Sequence, residues 1–331
     1  MTNAVWLLVS VSVGACQVDA PAISTVSQNG MNMQGMNMQG MNMQGMNMQG
    51  MNMQGFQLGG ATLSGEGLAN VRIDKGEVVA ERDGVTLHGA DVVGAHFIAQ
   101  AASTDDPPVL AQVEYRITAV ESESASYDPT HSGSTYLYTL EQYVSDTGTW
   151  QAACGADVDG RRVAIPLAAT WNAHGDRVES STLFTFACST GVIAKCYRWG
   201  YRPWLTGYGD LIDVHWTCTR LARADYCGNG VSHTHDGTWV NVWDALPAPG
   251  PIQNHGGLLP PLGMLFEAGW NTGGAVCLSR ARWLSDNTLA NMCPDRLVAP
   301  GLLGATVCDT TAEVLGYDPD ATMFDESYLN L

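Results

Sequence analysis

The chain has 331 residues, with 33 acidic against 15 basic side chains and a formal charge of −18. A balance that negative excludes nucleic acid, and the bare surface of an anionic membrane, as expected direct partners. Its 37 glycines and 10 tryptophans predict a turn-rich fold, mainly β with a few short helices, long enough for one large domain or two.

Residues Ala4 to Val13 form an apolar run that ends in Val13-Gly14-Ala15-Cys16. The run is too short to span a bilayer, but it suits the apolar core of a signal peptide followed by a small-residue cleavage site. A cysteine just after that site resembles the bacterial lipobox, which implies that Cys16 becomes the lipidated N-terminus. No Lys or Arg precedes Arg72, so the usual basic start of a leader is missing. Gln17 follows Cys16 where an aspartate would mark retention at the inner membrane. By that resemblance the destination is the cell outer membrane or surface, with the membrane as partner through the anchor.

Residues 17–30 are polar and patternless and read as a flexible tether. MNMQG then repeats five times over 31–55, with ten of the chain's 14 methionines. Paired thioethers are soft ligands that could hold Cu(I) or a similar ion; a low-complexity spacer is the other reading. The beat of five continues past the tract, with Leu58, Leu63, Leu68, Ile73 and Val78 in the slot of Met33. It resumes out of phase at Leu87, Val92 and Phe97, with Val85, Ala90 and Ala95 two residues before them. This resembles the pentapeptide-repeat pattern and implies square β-helix-like coils over 56–99.

From Val109 to Trp150 the alternation predicts strands at 109–120, 136–144 and 148–150, with loops at Pro107-Pro108 and 122–134. A short helix is expected from Thr190 to Cys196. Helical spacing of Leu211, Val214, Cys218, Leu221 and Ala222 predicts an amphipathic helix over 210–226, stopped by Gly228-Asn229-Gly230. Two β-like runs follow, Val231 to His235 and Thr238 to Trp243. The Asp236-Gly237 pair between them predicts a hairpin that places His233 opposite Val240. Residues 245–265 read as a long Pro/Gly loop, 266–270 and 275–283 as strands, and 287–292 as a turn or two of helix. The acidic stretch after Cys308 reads as a loosely held tail.

Setting Cys16 aside leaves eight cysteines, at 154, 188, 196, 218, 227, 277, 293 and 308. An even set in an exported chain predicts four disulfides of undetermined pairing. The stretch Ala224 to Asp244 gathers the residue types from which a site would be built: Asp225, Tyr226, Cys227, His233 and His235. A His-x-His pair is half of a zinc site, which Asp225, His215 or His255 could complete. Cys227 beside His233 has the form of a nucleophile and base, but needs a free thiolate that the even count denies. Sharing their face with valines, the two histidines read as packed, hydrogen-bonded residues, so no metal and no cofactor is expected.

The motif Ala224-Asp225-Tyr226-Cys227 also carries a resemblance. FTFAC at 184–188, AKC at 194–196, GYRPW at 200–204 and CTRLARADYCGNGVSHT at 218–234 resemble the ADYC domain. So do FEAGW at 266–270, AVC at 275–277 and CPDRL at 293–297. This is a family of bacterial lipoproteins found largely in myxobacteria, and the likeness spans roughly residues 56 to 308. It implies an exported lipoprotein but no reaction. The expected organisation is a lipoprotein signal peptide (1–16), a tether (17–30), the repeat tract (31–55) and a β-rich N-terminal part (56–150). An ADYC-like disulfide-rich domain (151–310) and an acidic tail (311–331) follow.

No Gly-x-Ser-x-Gly, His-Glu-x-x-His, phosphate loop or dinucleotide fingerprint occurs, so no catalytic motif stands out. The favoured expectation is a non-enzymatic, lipid-anchored binding module for an unidentified protein or glycan. The alternatives are an exported hydrolase with its site near Asp225, His233 or His235, and soft-metal binding by the methionine tract.

Overall fold

Three two-residue turns set the path of the first strands. Ser64-Gly65, Lys75-Gly76 and Asp83-Gly84 all have positive φ at both positions (55° and 85°, 50° and 76°, 53° and 78°). That is the backbone of the hairpin turn that matches strand twist. In the computed structural model, residues 24–26, 56–102, 110–123, 135–157, 159–172, 174–205, 207–208, 210–234, 238–247, 249–255, 263–283, 293 and 308–328 are described.

A short β1 (Ser24–Val26) runs parallel to the end of β8. The first turn joins β2 (Phe56–Leu63) to β3 (Glu66–Gly67). The next two join β4 (Ala69–Asp74), β5 (Glu77–Arg82) and β6 (Val85–Leu87) into an antiparallel three-stranded sheet. The square coils expected over 56–99 are therefore replaced by antiparallel ladders. The physical reason is that each such turn reverses the chain, whereas a coil must keep turning one way. The five-residue beat still marks inward positions. Leu63 and Val78 are buried and Leu58, Leu68 and Ile73 half-buried, all against one core, whereas Val85 is exposed. The methionine tract lies outside the described residues.

That core is the inside of a barrel. Strands β7 (Ala95–Ala102), β8 (Leu110–Glu123), β9 (Tyr136–Val144), β11 (Val163–Leu167) and β14 (Leu183–Cys188) join β2. Their antiparallel order β2-β7-β8-β9-β11-β14 returns to β2, while β1, β3 and β10 (Thr149–Ala152) attach at its edges. Phe97, Tyr115, Tyr138 and Phe186 fill the interior between the small Ala95, Ala99 and Ala164, the large-and-small filling that a narrow barrel requires. At the β14–β2 seam only Leu183↔Gln57 and Phe184↔Phe56 pair among the described residues, a joint as short as that of β11 with β9.

Strands β11 and β14 are buried on both faces. Ala164, Phe184 and Phe186 point into the barrel, while Val163, Ile165, Leu167 and Ala187 point out into a second core. Both strands consequently read as apolar runs rather than alternating ones, broken only at Thr185, whose hydroxyl donates to Ala169 O. The outer face carries α1 (Val192–Arg198) and α2 (Ile212–Arg223), tied together by Cys196–Cys218. A small hairpin, β12 (Ala169–Trp171) with β13 (Arg177–Glu179), closes the side.

Beyond α2 lies a four-stranded antiparallel sheet of β15 (Val240–Asp244), β18 (Met323–Tyr328), β16 (Met264–Asn271) and β17 (Gly274–Leu278), in that order. Helix α3 (Thr311–Tyr317) covers its far face, and a Cβ at Gly269 would collide with Val314 of that helix. The expectation of a loose acidic tail is corrected here. Residues 323–328 form an inner strand because its acids find partners: Asp325 and Glu326 accept from Trp270 and Asn241. The cysteines pair as Cys154–Cys188, Cys196–Cys218, Cys227–Cys293 and Cys277–Cys308. Residues 287–292 lie outside the described ones.

Candidate functional site

The four residues 224–227 form the corner where α2 meets the second sheet. Ala224 takes the left-handed conformation (φ 52°, ψ 42°), and its N–H and that of Asp225 close the helix onto Leu221 O and Arg220 O at 2.9 and 3.0 Å. A left-handed alanine is strained by about 1–2 kcal/mol, and the next residue supplies the compensation. The fully buried Asp225 carboxylate accepts from the N–H groups of Asn229 (3.1 Å) and Gly230 (3.0 Å) and from the Arg220 guanidinium. Arg220 in turn donates to Thr272 O, His174 O and Asp176. One carboxylate thus stitches the helix end, the 228–230 turn and the 174–176 loop together.

Tyr226 lies across the sheet. Its ring stacks on Trp270 (centroids 5.3 Å apart, 23° between planes). Its hydroxyl donates to Glu267 at 2.9 Å and accepts from the Arg282 N–H at 2.9 Å. Cys227 is bonded to Cys293, so it is no thiolate.

The tyrosine leads into a fully buried charge cluster. Arg282 donates through Nε to both Glu267 oxygens (3.1 and 3.0 Å), and through its Nη atoms to Asp325 (2.9 Å), Thr234 Oγ1 (3.1 Å) and Leu221 O (3.1 Å). Ser327 Oγ donates to Glu267 at 2.6 Å, and Trp270 Nε1 donates to Asp325 at 2.7 Å. One cation faces two carboxylates, and they divide the load. Burial alone would raise Glu267, but the Arg282 charge and the bonds from Arg282, Ser327 and Tyr226 hold it below the usual range. Burial, then the Glu267 charge, push Asp325 well above it. The two carboxylates thus share the single Arg282 charge unequally, Glu267 drawn toward the ionised form and Asp325 toward the protonated one. Burial and Glu267 likewise push the Tyr226 hydroxyl up. Arg282, Glu267, Asp325, Tyr226, Trp270 and Ser327 are all 0 % exposed and Thr234 is buried, so this is a framework rather than a reaction site.

Of the other residues singled out in the sequence, His233 is buried, receives no strand, and bonds through its N–H to Arg223 O at 3.1 Å. The expected pairing of His233 with Val240 is corrected: Val240 pairs with Ser327 of β18, because the strand from late in the chain offers it a full ladder. His235, with Asp236 and Gly237, lies outside the described residues. His215 is buried on Ile193 O at 3.1 Å, and burial, then Arg177, keep its pKa well below the ordinary value. Among the described residues, no three His, Cys, Asp or Glu side chains are placed to hold a metal ion.

Sequence reasoning missed Glu267, Arg282 and Asp325, which meet only through the sheet. Their one signal was an acid set inside apolar strand patterns, at Glu267 in FEAGW and Asp325 in MFDESY.

An open site lies elsewhere, at the short seam of the barrel. Where β2 and β14 part, a cavity of about 500 Å³ opens beneath β4. Phe97, Phe184 and Phe186 floor it; Leu58, Val71 and Ile73 wall it; Gln57, Arg72, Ser180, Ser181 and Thr182 stand at its rim. This mix of an apolar floor and a few convergent polar groups has the size and character of small-molecule sites.

Neither the curated proteins nor the solved structures contain a match to the chain. The ADYC domain model matches residues 89–284, well over half of the chain. That span holds β7 to β17, both helices of the second layer and the Asp225–Tyr226 corner. It leaves outside β2 and β4, which wall the cavity, and β18, which brings Asp325. By that match the chain belongs to the ADYC domain family.

Proposed function

We propose that the chain is an exported, lipid-anchored binding module that takes a small apolar ligand at the mouth between β2 and β14. The observation that carries the reading is the contrast between the two polar settings. The acids, tyrosine and arginines of the 224–227 corner and the Arg282 cluster are buried and bound to one another. The concave, open surface is lined by phenylalanine, aliphatic side chains and hydroxyls. Among its described lining residues there is no histidine, carboxylate or cysteine to serve as base or nucleophile. Four disulfides are consistent with export, and the apolar run before Cys16 supports the anchor. No helix among the described residues is long and apolar enough to cross a membrane.

Two measurements test this. The intact mass of protein extracted from membranes is expected to correspond to a chain beginning at Cys16 plus its lipid. A Cys16→Ala form that still partitions fully into detergent would remove the anchor. The full chain, refolded under oxidising conditions, is expected to bind the neutral fluorophore N-phenyl-1-naphthylamine saturably at one site. Thr182→Trp, which plugs the rim at an exposed position, is expected to abolish that binding. Absence of saturable binding, or binding indifferent to the plug, sinks the pocket.

A further inference from the structure

Among its described lining residues the mouth of the barrel holds a single basic side chain, Arg72, in a strongly acidic protein. No other of those residues is charged, although acids outnumber basic residues 33 to 15 in the chain. A guanidinium carries five N–H donors. Among the described residues Arg72 donates only one bond, to Asn70 O at 3.2 Å, and stands 3.7 Å from Glu81. Glu81 has a closer partner in the Asn70 amide at 2.6 Å. The guanidinium therefore keeps donors for an incoming group.

Across the rim, Ser180 Oγ already accepts from the N–H groups of Thr182 (3.2 Å) and Leu183 (2.8 Å). With its lone pairs occupied, its proton is the part left to offer. The two sides of the rim both present donors, which suits an acceptor-rich head with a negative charge. One cation matches one charge; a polyphosphate would lack counterparts.

The floor decides the rest of the ligand. Phe184 meets Phe186 edge-on at 85°, and Phe97 meets Phe186 at 57°. No two of these rings are parallel, so there is no slot for a flat ring system. A flexible chain can follow such an irregular surface against Leu58 and Ile73.

Building on the pocket reading above, we infer that the mouth binds a monoanionic amphiphile, a carboxylate-headed molecule with an acyl tail. The head sits between Arg72 and Ser180, and the tail lies over the three phenylalanines.

The test uses the full refolded chain with cis-parinaric acid, a fluorescent carboxylate-headed acyl chain, and its methyl ester, which has the same tail and no charge. The acid is expected to bind about tenfold more tightly than the ester, as a charge-assisted contact at a half-exposed rim would give. Arg72→Gln is expected to bring the acid down to the affinity of the ester without changing the latter. Thr182→Trp is expected to abolish both. Equal binding of acid and ester, both blocked by Thr182→Trp, overturns the acidic head and leaves the pocket standing. So does a preference for acid that survives Arg72→Gln. Binding that Thr182→Trp does not touch overturns pocket and ligand together.

Discussion

Replacing Arg282 by methionine is expected to lower the free energy of unfolding by about 3–5 kcal/mol, among the largest losses any single substitution in this chain would produce. The side chain is 0 % exposed and binds Glu267 and Asp325. Its removal strands an ionised carboxylate in the interior beside a second acid, and the penalty is chiefly that of the uncompensated charge. Asp325→Asn is expected to cost much less, about 1–2 kcal/mol, because burial and Glu267 already favour the neutral form of Asp325 and only one acceptor is exchanged for a donor. Urea midpoints with unchanged slope would read both values. An Arg282→Met protein within about 1 kcal/mol of wild type, below the range for a broken buried pair, would refute the assignment.

The opposite directions of the two shifts fix the sign of a pH effect. Asp325 is raised in the folded protein. Its contribution is complete below the ordinary carboxyl range and is lost as pH rises through the elevated folded value. Glu267 is lowered, so its contribution is present above the ordinary range and is lost only as pH falls through the depressed value. Stability should decline on the alkaline side, and Asp325→Asn should flatten that decline.

Asp225→Ala is expected to cost about 3 kcal/mol, the lower part of the range for breaking a buried ion pair, since Arg220 keeps Asp176 and two carbonyls. The loss also orphans the N–H groups of Asn229 and Gly230 and leaves the strained Ala224 without its neighbour's support. Asp225→Asn retains one acceptor and should cost roughly half as much. A nearly neutral Asp225→Ala would mean that the corner is held by the backbone alone.

Much of the local structure was legible because it is written in short spacings. The 3.6-residue beat of Leu211, Val214, Cys218 and Leu221 produced α2 within a few residues at each end, and the alternation after Val109 produced β8, β9 and β10. What failed was pairing. The Asp236-Gly237 signal argued for a local hairpin, but β15 found β18, more than eighty positions away, since a strand flanked on both sides buries more than a hairpin at an edge. The five-residue beat failed differently. Strand alternation interrupted by two-residue turns can mimic that period, and the residues at the turns, Lys75-Gly76 and Asp83-Gly84, carried the decisive information. The cavity had no sequence signature, since its phenylalanines come from strands far apart in the chain.

The inner position of β18 bears on the order in which the molecule can assemble. Strands β15 and β16 are hydrogen-bonded only through it, so the second sheet cannot be completed before residues 323–328 have been delivered. The barrel also waits, because β2 must hold until β14 arrives more than a hundred residues later. Both closures are high in contact order, which slows folding. A chain threaded through a membrane from its N-terminus would spend its transit with neither sheet complete and its cysteines unprotected by structure. The Arg282 cluster would be the last thing to form, when Asp325 slides in beside its partners. A protein clipped a few residues before Met323 should therefore not be a slightly shorter version of this one; it should keep the barrel strands but stall with β15 and the β16–β17 hairpin unjoined and their apolar faces exposed, the kind of species that aggregates or is degraded.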